Sequence, residues 1–372
     1  MKIYGIVVAA GYSSRMGRLK ALLPLGQRSV LERTVTALRD GGALDVFVVT
    51  GHEAERVATA AQSCEAQVVH NPNFDSGMFS SIQAGVQALP KDCDAFFVLP
   101  VDIPLIRPCT IRALAMNFCE RKAPVSIPCF QGQEGHPPLI SATLIPAILA
   151  HGGTRGLRGV LSKFPHANLE MPDYGILHDL DTPDQYAWAK KRFTQREIPL
   201  PEEVTALWEL AGTPHNTRKH CKAVAECACE LAKWLNASRT AHDTVSPELI
   251  RAAALLHDVA KGQRSHERAG GTLLAGYGFL QISDIVGAHK DSFLPEHAPI
   301  TEKELVFLAD KITRGTERVT LAERYDATLE RWAHDPEAVA AISARKARAQ
   351  KLLQRFEHET GFCAHEQCAS PS

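Results

Sequence analysis

His257-Asp258 places two metal-ligand side chains on consecutive residues, and His220, His266, His289 and Asp310 stand in the same half of the chain. Imidazole nitrogen and carboxylate oxygen together suit a borderline or hard divalent ion such as iron, manganese or zinc. An ion held there would polarise a phosphoryl oxygen and lower the pKa of bound water to roughly 7, so the chemistry to expect is hydrolysis of a phosphoester or phosphoanhydride. Adjacent side chains cannot share one helical face, so the metal must sit at a helix end, which Lys261-Gly262 marks. Asp310 lies inside LVFLADKI, where an unpaired carboxylate is costly to bury and coordination would remove the cost. Lys261 suits either a substrate phosphate or the negative end of a helix dipole.

A second set opens the chain, in AAGYSSRMGRLKALLPL from Ala9 onward. Gly11 is expected to let the backbone leave a strand in a turn that other residues resist. The amides that follow, with the Ser13 and Ser14 hydroxyls, can face phosphate oxygens. Arg15 and Lys20 can neutralise charge that builds during phosphoryl-group chemistry. In LPVDIP, Asp102 follows an apolar run, where a carboxylate can anchor a magnesium ion that bridges a triphosphate.

The elements that must position these groups change character midway. Buried strands are expected at 3–9, 46–49, 68–69 and 95–99, alternating with helices at 30–38, from 53, and at 82–89. That alternation predicts an α/β, doubly wound, mostly parallel, Rossmann-like sheet. Ligands in such sheets bind beyond the carboxyl ends of the strands, so the loops 11–20 and 100–104 are expected to meet there. After 192–201 the strand signal stops. Residues 216–236 repeat apolar side chains every 3.6 positions, Ser246-Pro247 caps an apolar run at 249–259, and Thr301 with Glu304 opens a helix at 305–312. The second half is therefore expected to be all-α. The expected limits are 1–192 and 203–358, followed by a polar tail at 359–372 in which Cys363 and Cys368 point to disorder before a metal site.

The order of residues in the first half resembles the signature of the MobA-like nucleotidyltransferases. It is most similar to the branch of molybdenum cofactor cytidylyltransferase, because Ala9-Ala10-Gly11 stands where the guanylyltransferase branch carries a second glycine in place of Ala10. The resemblance implies nucleotide contacts from Ala9, Ala10, Gly11, Ser13, Ser14, Arg15, Gly17 and Lys20, and from DSGMFSSIQAG through Ser80, Ser81 and Gly85. It implies a catalytic role for Arg15, Lys20 and Asp102, and magnesium on Asp102. Asp179 or Asp181, in LHDLDTPDQY, is the implied second metal contact, and His136, in GQEGHPPLI, faces the acceptor. The implied reaction moves a nucleotidyl group, CMP from CTP, onto the phosphate of a molybdopterin-type cofactor and releases pyrophosphate. A molybdoenzyme or chaperone is the implied protein partner. GGTRGLR, at 152–158, lacks the aspartate of the family's corresponding loop, so a phosphorylated sugar or alcohol stays open as the acceptor.

The histidines and aspartates of the second half resemble the HD phosphohydrolase superfamily. His220, His257, Asp258 and Asp310 match its ligand quartet, and His266 and His289 the extra histidines of members that hold two metals. Hydrolysis of a phosphoester or nucleotide is implied, with a nucleotide-binding regulatory module as the alternative.

Bulk composition narrows the remaining classes. The 372 residues suit two domains, and 45% hydrophobic with 22% charged residues describes an ordinary globular chain. A net charge of −1 and the lack of a basic stripe with interleaved aromatics argue against nucleic acid as a partner. No run approaches the roughly 18 apolar residues of a membrane span, and ten scattered cysteines suggest a reducing, cytoplasmic setting.

Overall fold

The computed structural model describes residues 1–361 except 122, 292 and 296. The expected polar tail from 362 on, with Cys363 and Cys368, lies outside the described residues, and the last helix runs through 359 and 360. The chain divides into two units, Met1–Arg196 and Glu197 onward. No described helix is long and apolar enough to cross a membrane.

The first unit is built on the strands β1 (Ile3–Val8), β2 (Val46–Thr50), β3 (Gln67–His70), β4 (Ala95–Pro100), β5 (Val125–Phe130), β6 (Leu139–Ser141) and β7 (His166–Glu170). Their order across the sheet is β7-β5-β6-β4-β1-β2-β3, and Gln133–Glu134 adds a short strand beside β5. β1 runs parallel to β2 and β4, β2 to β3, and β5 to β7, while β6 is antiparallel to both its neighbours. Every residue of β1 and β2 is buried, as expected of strands covered on both faces. The helices α1 (Val30–Asp40), α2 (Ala54–Ser63), α3 (Met78–Gln87), α4 (Pro108–Arg121) and α5 (Pro183–Thr194) accompany the sheet. Ser29 opens α1 by accepting from the Glu32 amide at 3.2 Å, and Glu32 accepts from the Ser29 amide at 2.6 Å.

From β1 the chain builds outward through β2 and β3, then returns to β4 on the other side. The carboxyl ends of β1 and β4 therefore flank a point where the strand order reverses, the usual ligand crevice of an open sheet. Val8 pairs with Pro100 at that edge, so the loops beginning at Ala9 and Val101 leave side by side.

The second unit contains α6 (His215–Ala237), α7 (Pro247–Leu256), α8 (His266–Gly276), α9 (Leu280–Ala288), α10 (Glu302–Lys311), α11 (Leu321–Arg331) and α12 (Pro336–Thr360). Its core joins Val224, Ala228 and Leu231 of α6 to Ala253 of α7 and Phe307 of α10. Each fully buried Val, Leu or Phe side chain there contributes about 2 kcal/mol. α7 stops at Leu256, so His257 and Asp258 fall at a helix end, and Gly262 follows with φ 99°. Helices thus supply the rigid frame, and their ends supply the polar groups.

Candidate functional site

Two clusters of ionisable side chains stand out, one in each unit. In the first, the loop after β1 carries Ser13 at φ 53° and Gly17 at φ 61° around the short turn Ser14–Met16. It returns to the sheet at Lys20, whose amide donates to Ser13 Oγ at 3.1 Å. Lys20 Nζ lies 3.1 Å from Asp102 Oδ2 and also grips Asp181, just before α5, while Arg15 Nη1 meets Asp181 Oδ2 at 2.7 Å. The Asp102 carbonyl accepts from the Leu180 amide at 2.9 Å, which ties the end of β4 to the segment that carries Asp181. Burial works against the charge of Lys20, but Asp181 and Asp102 together raise its pKa above the usual lysine value. Lys20 in turn holds the Asp181 carboxyl below its usual range.

Beside this ion cluster lies a cleft of about 280 Å³. Ala9, Ala10, Gly11, Ser13, Ser81, Lys20 and Asp102 are among the residues that line it. Asp102, which lines the cleft, and Asp181, joined to it through Lys20, are a pair of carboxylates of the kind a protein contributes to a magnesium site, with substrate phosphates to complete the shell.

The second cluster is closed. Asp258 Oδ1 is approached by His266 Nε2 at 3.1 Å and His289 Nε2 at 3.5 Å, and Asp258 Oδ2 by His257 Nε2 at 3.7 Å. Asp310 Oδ1 lies 3.2 Å from His220 Nε2 and 3.7 Å from His257 Nε2. Backbone carbonyls orient the rings: Ala254 for His257 at 2.8 Å, Val286 for His289 at 2.7 Å and Gly315 for His220 at 2.9 Å. Burial opposes charge on Asp258 and Asp310. Even so, His266 and His289 hold the first, and Lys311 and His220 the second, far below the ordinary carboxyl range.

Two sets of donor atoms lie close enough for a common ion, His220–His257–Asp258 and Asp258–His266–His289, and they share Asp258. His257 Nε2 and Asp258 Oδ1 are buried without a hydrogen-bond partner, a costly arrangement that a divalent cation would satisfy. The donor set therefore fits one or two metal ions.

Comparison with known proteins gives the same division. A model described as the MobA-like NTP transferase domain matches residues 5–169, and one described as the HD domain matches residues 217–315. Molybdenum cofactor cytidylyltransferase of Escherichia coli (strain K12) is 29% identical over 193 residues, 51% of this chain and 96% of its own length. Nicotine blue oxidoreductase of Paenarthrobacter nicotinovorans is 30% identical over 194 residues, 49% of this chain and 94% of its own. The chain belongs to the MobA-like NTP transferases and carries an HD domain. Among solved structures, a nucleotidyl transferase from Methanothermobacter thermautotroptrophicus is 27% identical, covering 52% of this chain and 99% of its own, with a TM-score of 0.47.

Within the NTP transferase domain, the fold joins Arg15, Lys20, Asp102 and Asp181 in one ion cluster. Other expected residues lie apart from it. Ser14 and Gly17 form the outer turn of the loop, and Asp179 accepts from Gln185 Nε2 at 2.9 Å. Ser80 receives Asn71 Nδ2 at 2.9 Å and donates to the Asn73 and Gly77 carbonyls, so its hydroxyl is taken up by the start of α3. Gly85 is a packing glycine: a Cβ there would stand 2.6 Å from Ile6 Cγ2 and 2.9 Å from Val49 Cγ2. The turn role expected of Gly11 is corrected. Its backbone is not left-handed, Ser13 and Gly17 take that conformation instead, and a Cβ on Gly11 would project into open space.

His136 packs beside the same region, its amide donating to the Ile176 carbonyl at 2.9 Å. Burial pushes its pKa down against the pull of Asp102 and Asp179, and its Nδ1 is buried without a partner. Tyr12, Phe74, Asp75 and Met78 also line the cleft, and Tyr12 donates to Asp75. Asp75 opens the segment that the resemblance singled out, but nothing in local spacing marks Tyr12. In the HD domain the six expected ligands converge. Lys311 and Arg324, which both meet Asp310, were not legible because their role depends on where α10 and α11 pack.

Proposed function

We propose that the NTP transferase domain moves a nucleotidyl group, CMP from CTP, onto the phosphate of a molybdopterin-type cofactor and releases pyrophosphate, and that the HD domain hydrolyses a phosphoester or nucleotide. The observation that carries the first part is Lys20, which lines the cleft with Asp102 and bridges Asp102 to Asp181. Lys20 and Arg15 are long cations that can pass from carboxylates to the departing pyrophosphate, where charge builds. Asp102 and Asp181 would hold magnesium, which supplies charge neutralisation on the triphosphate. The loop from Ala9 to Ser13 seats the nucleotide, Ala10 favours cytosine, and His136 faces the acceptor as a neutral imidazole.

Family membership alone does not choose this reaction, since one relative of similar identity is named an oxidoreductase. The paired carboxylates and paired cations favour phosphoryl chemistry over hydride transfer. The missing aspartate at 152–158 supports a second reading, a phosphorylated sugar or alcohol as acceptor. The test is product analysis with magnesium, each of the four NTPs and molybdenum-loaded molybdopterin. A cytidine dinucleotide cofactor plus pyrophosphate, absent with Asp102→Ala, is the expected outcome; transfer only to a sugar or alcohol phosphate would install the second reading.

For the HD domain, the buried and unsatisfied His257 Nε2 and Asp258 Oδ1 support a metal-dependent hydrolase. Iron, manganese or zinc held by His220, His257, Asp258, His266, His289 and Asp310 would polarise a phosphoryl oxygen and activate water. Turnover of phosphoesters by the metal-loaded chain, lost in His257→Ala, is expected. Nucleotide binding without turnover would favour a regulatory module. The proposed setting is cytoplasmic, with a molybdoenzyme or its chaperone as the protein partner and neither nucleic acid nor membrane.

A further inference from the structure

Asp310 has more positive partners than a metal ligand needs. Besides His220 and His257 it meets Lys311 Nζ at 2.5 Å and Arg324 Nη2 at 3.8 Å. The two cations differ. Lys311 keeps only 13% of its side-chain surface and lies over the Phe307 ring, so it is the built-in counter-charge of a buried carboxylate. Arg324 keeps 30%, and it comes from α11, beyond residue 315 where the HD family match ends.

Tyr325, the next residue, is 7% exposed, and its hydroxyl is buried with no hydrogen-bond partner. Burial and the charge of Asp310 push its pKa up to about 12, so it stays a donor. A buried donor without a partner and a buried carboxylate that holds a partly exposed guanidinium are a poor arrangement for stability alone. It suits an acceptor with several oxygens.

A divalent ion on Asp310 would compete with both cations for the carboxylate. Lys311 is packed in place, whereas Arg324 has solvent to turn into. The guanidinium fork matches a phosphate in a way an ammonium does not.

We propose that Arg324, with the Tyr325 hydroxyl as a second donor, is the phosphate-binding edge of the HD site and takes the oxygens of the substrate's phosphate next to the metal ligands. This rests on the phosphohydrolase reading of that domain. Lys261, which pairs with Asp258 Oδ2 at 2.8 Å and is half exposed, is the corresponding cation beside the other carboxylate.

The test is calorimetric titration of the manganese-loaded full chain with inorganic phosphate, with His257→Ala as the background for phosphate held elsewhere. Arg324→Gln is expected to weaken phosphate binding about tenfold, with Tyr325→Phe having a smaller effect and Arg324→Lys restoring part of the loss. Bound manganese, measured by emission spectroscopy, stays unchanged in all three. Equal phosphate affinity in Arg324→Gln, or no binding by the unaltered chain, would overturn the proposal. Loss of manganese in Arg324→Gln would also overturn it, because Arg324 would then be only a counter-ion of Asp310. If the unaltered chain hydrolysed no phosphoester while phosphate affinity still depended on Arg324, the phosphate site would stand and the hydrolytic reading alone would fall.

Discussion

Asp102 and Asp181 keep 23% and 30% of their side-chain surface, whereas Asp258 and Asp310 keep 4% and 8%. The open pair is matched by Lys20 and Arg15, long side chains able to exchange partners. The closed pair is surrounded by imidazoles, three of them fixed by backbone carbonyls. A carboxylate near solvent can rely on mobile counter-charge, because water screens what the cation leaves behind. A carboxylate in a helical core needs partners already in place, since an unpaired charge there is expensive. The transferase cleft is thus built to rearrange around its substrate, and the HD cage to receive ions into a prepared shell.

The largest effect should come from removing the open carboxylate that ends β4. Asp102→Ala is expected to lower nucleotidyl transfer about a thousandfold, read as pyrophosphate release, while leaving metal content and hydrolysis in the HD domain unchanged. Parallel loss in both domains would break the contrast between two separate sites.

Chelation addresses the closed cage. Removing metal present at a hundredfold excess over its Kd is expected to destabilise the HD domain by about 2.7 kcal/mol, seen as a fall in Tm that His257→Ala no longer shows. An unchanged Tm would mean that the cage holds its shape without ions.

Two glycines in one domain sharpen the distinction between packing and binding. Gly85→Ala forces a methyl group against Ile6 and Val49 and should cost about 2 kcal/mol in urea unfolding. Gly11→Ala meets nothing in the fold, so it should leave stability alone and raise the KM for the nucleoside triphosphate.

The smallest effect is a pH dependence. His136 and His178 both have pKa values pushed down by burial, so their folded values lie below 6.5. Their contribution to stability is complete above pH 6.5 and is lost as pH falls through the depressed folded values. Trp188, the sole tryptophan of residues 1–196, reports on this domain. The acid-induced drop in its urea midpoint should shrink in His136→Asn and in His178→Asn.

Much of this is legible in the amino-acid sequence. The continuous apolar runs and the period-3.6 apolar pattern are local, so β1, β2 and β4 and the helical second half can be read from neighbouring residues alone. So can the position of His257-Asp258 at a helix end, since Lys261-Gly262 announces one. The antiparallel β6 is not legible: three residues offer too short a pattern. Which residues take the left-handed turn is not legible either, because the choice among Gly11, Ser13 and Gly17 depends on how the loop returns to Lys20.

The sequence by itself determined the residue types available to each site and the elements that carry them, since both follow from composition and short-range periodicity. Only the tertiary structure decided that Asp181, and not Asp179, meets Lys20, and that Arg324 reaches Asp310. Lys20 and Asp181 stand 161 residues apart, and Asp310 and Arg324 lie on two different helices, so packing, not any local preference, sets the distance within each pair.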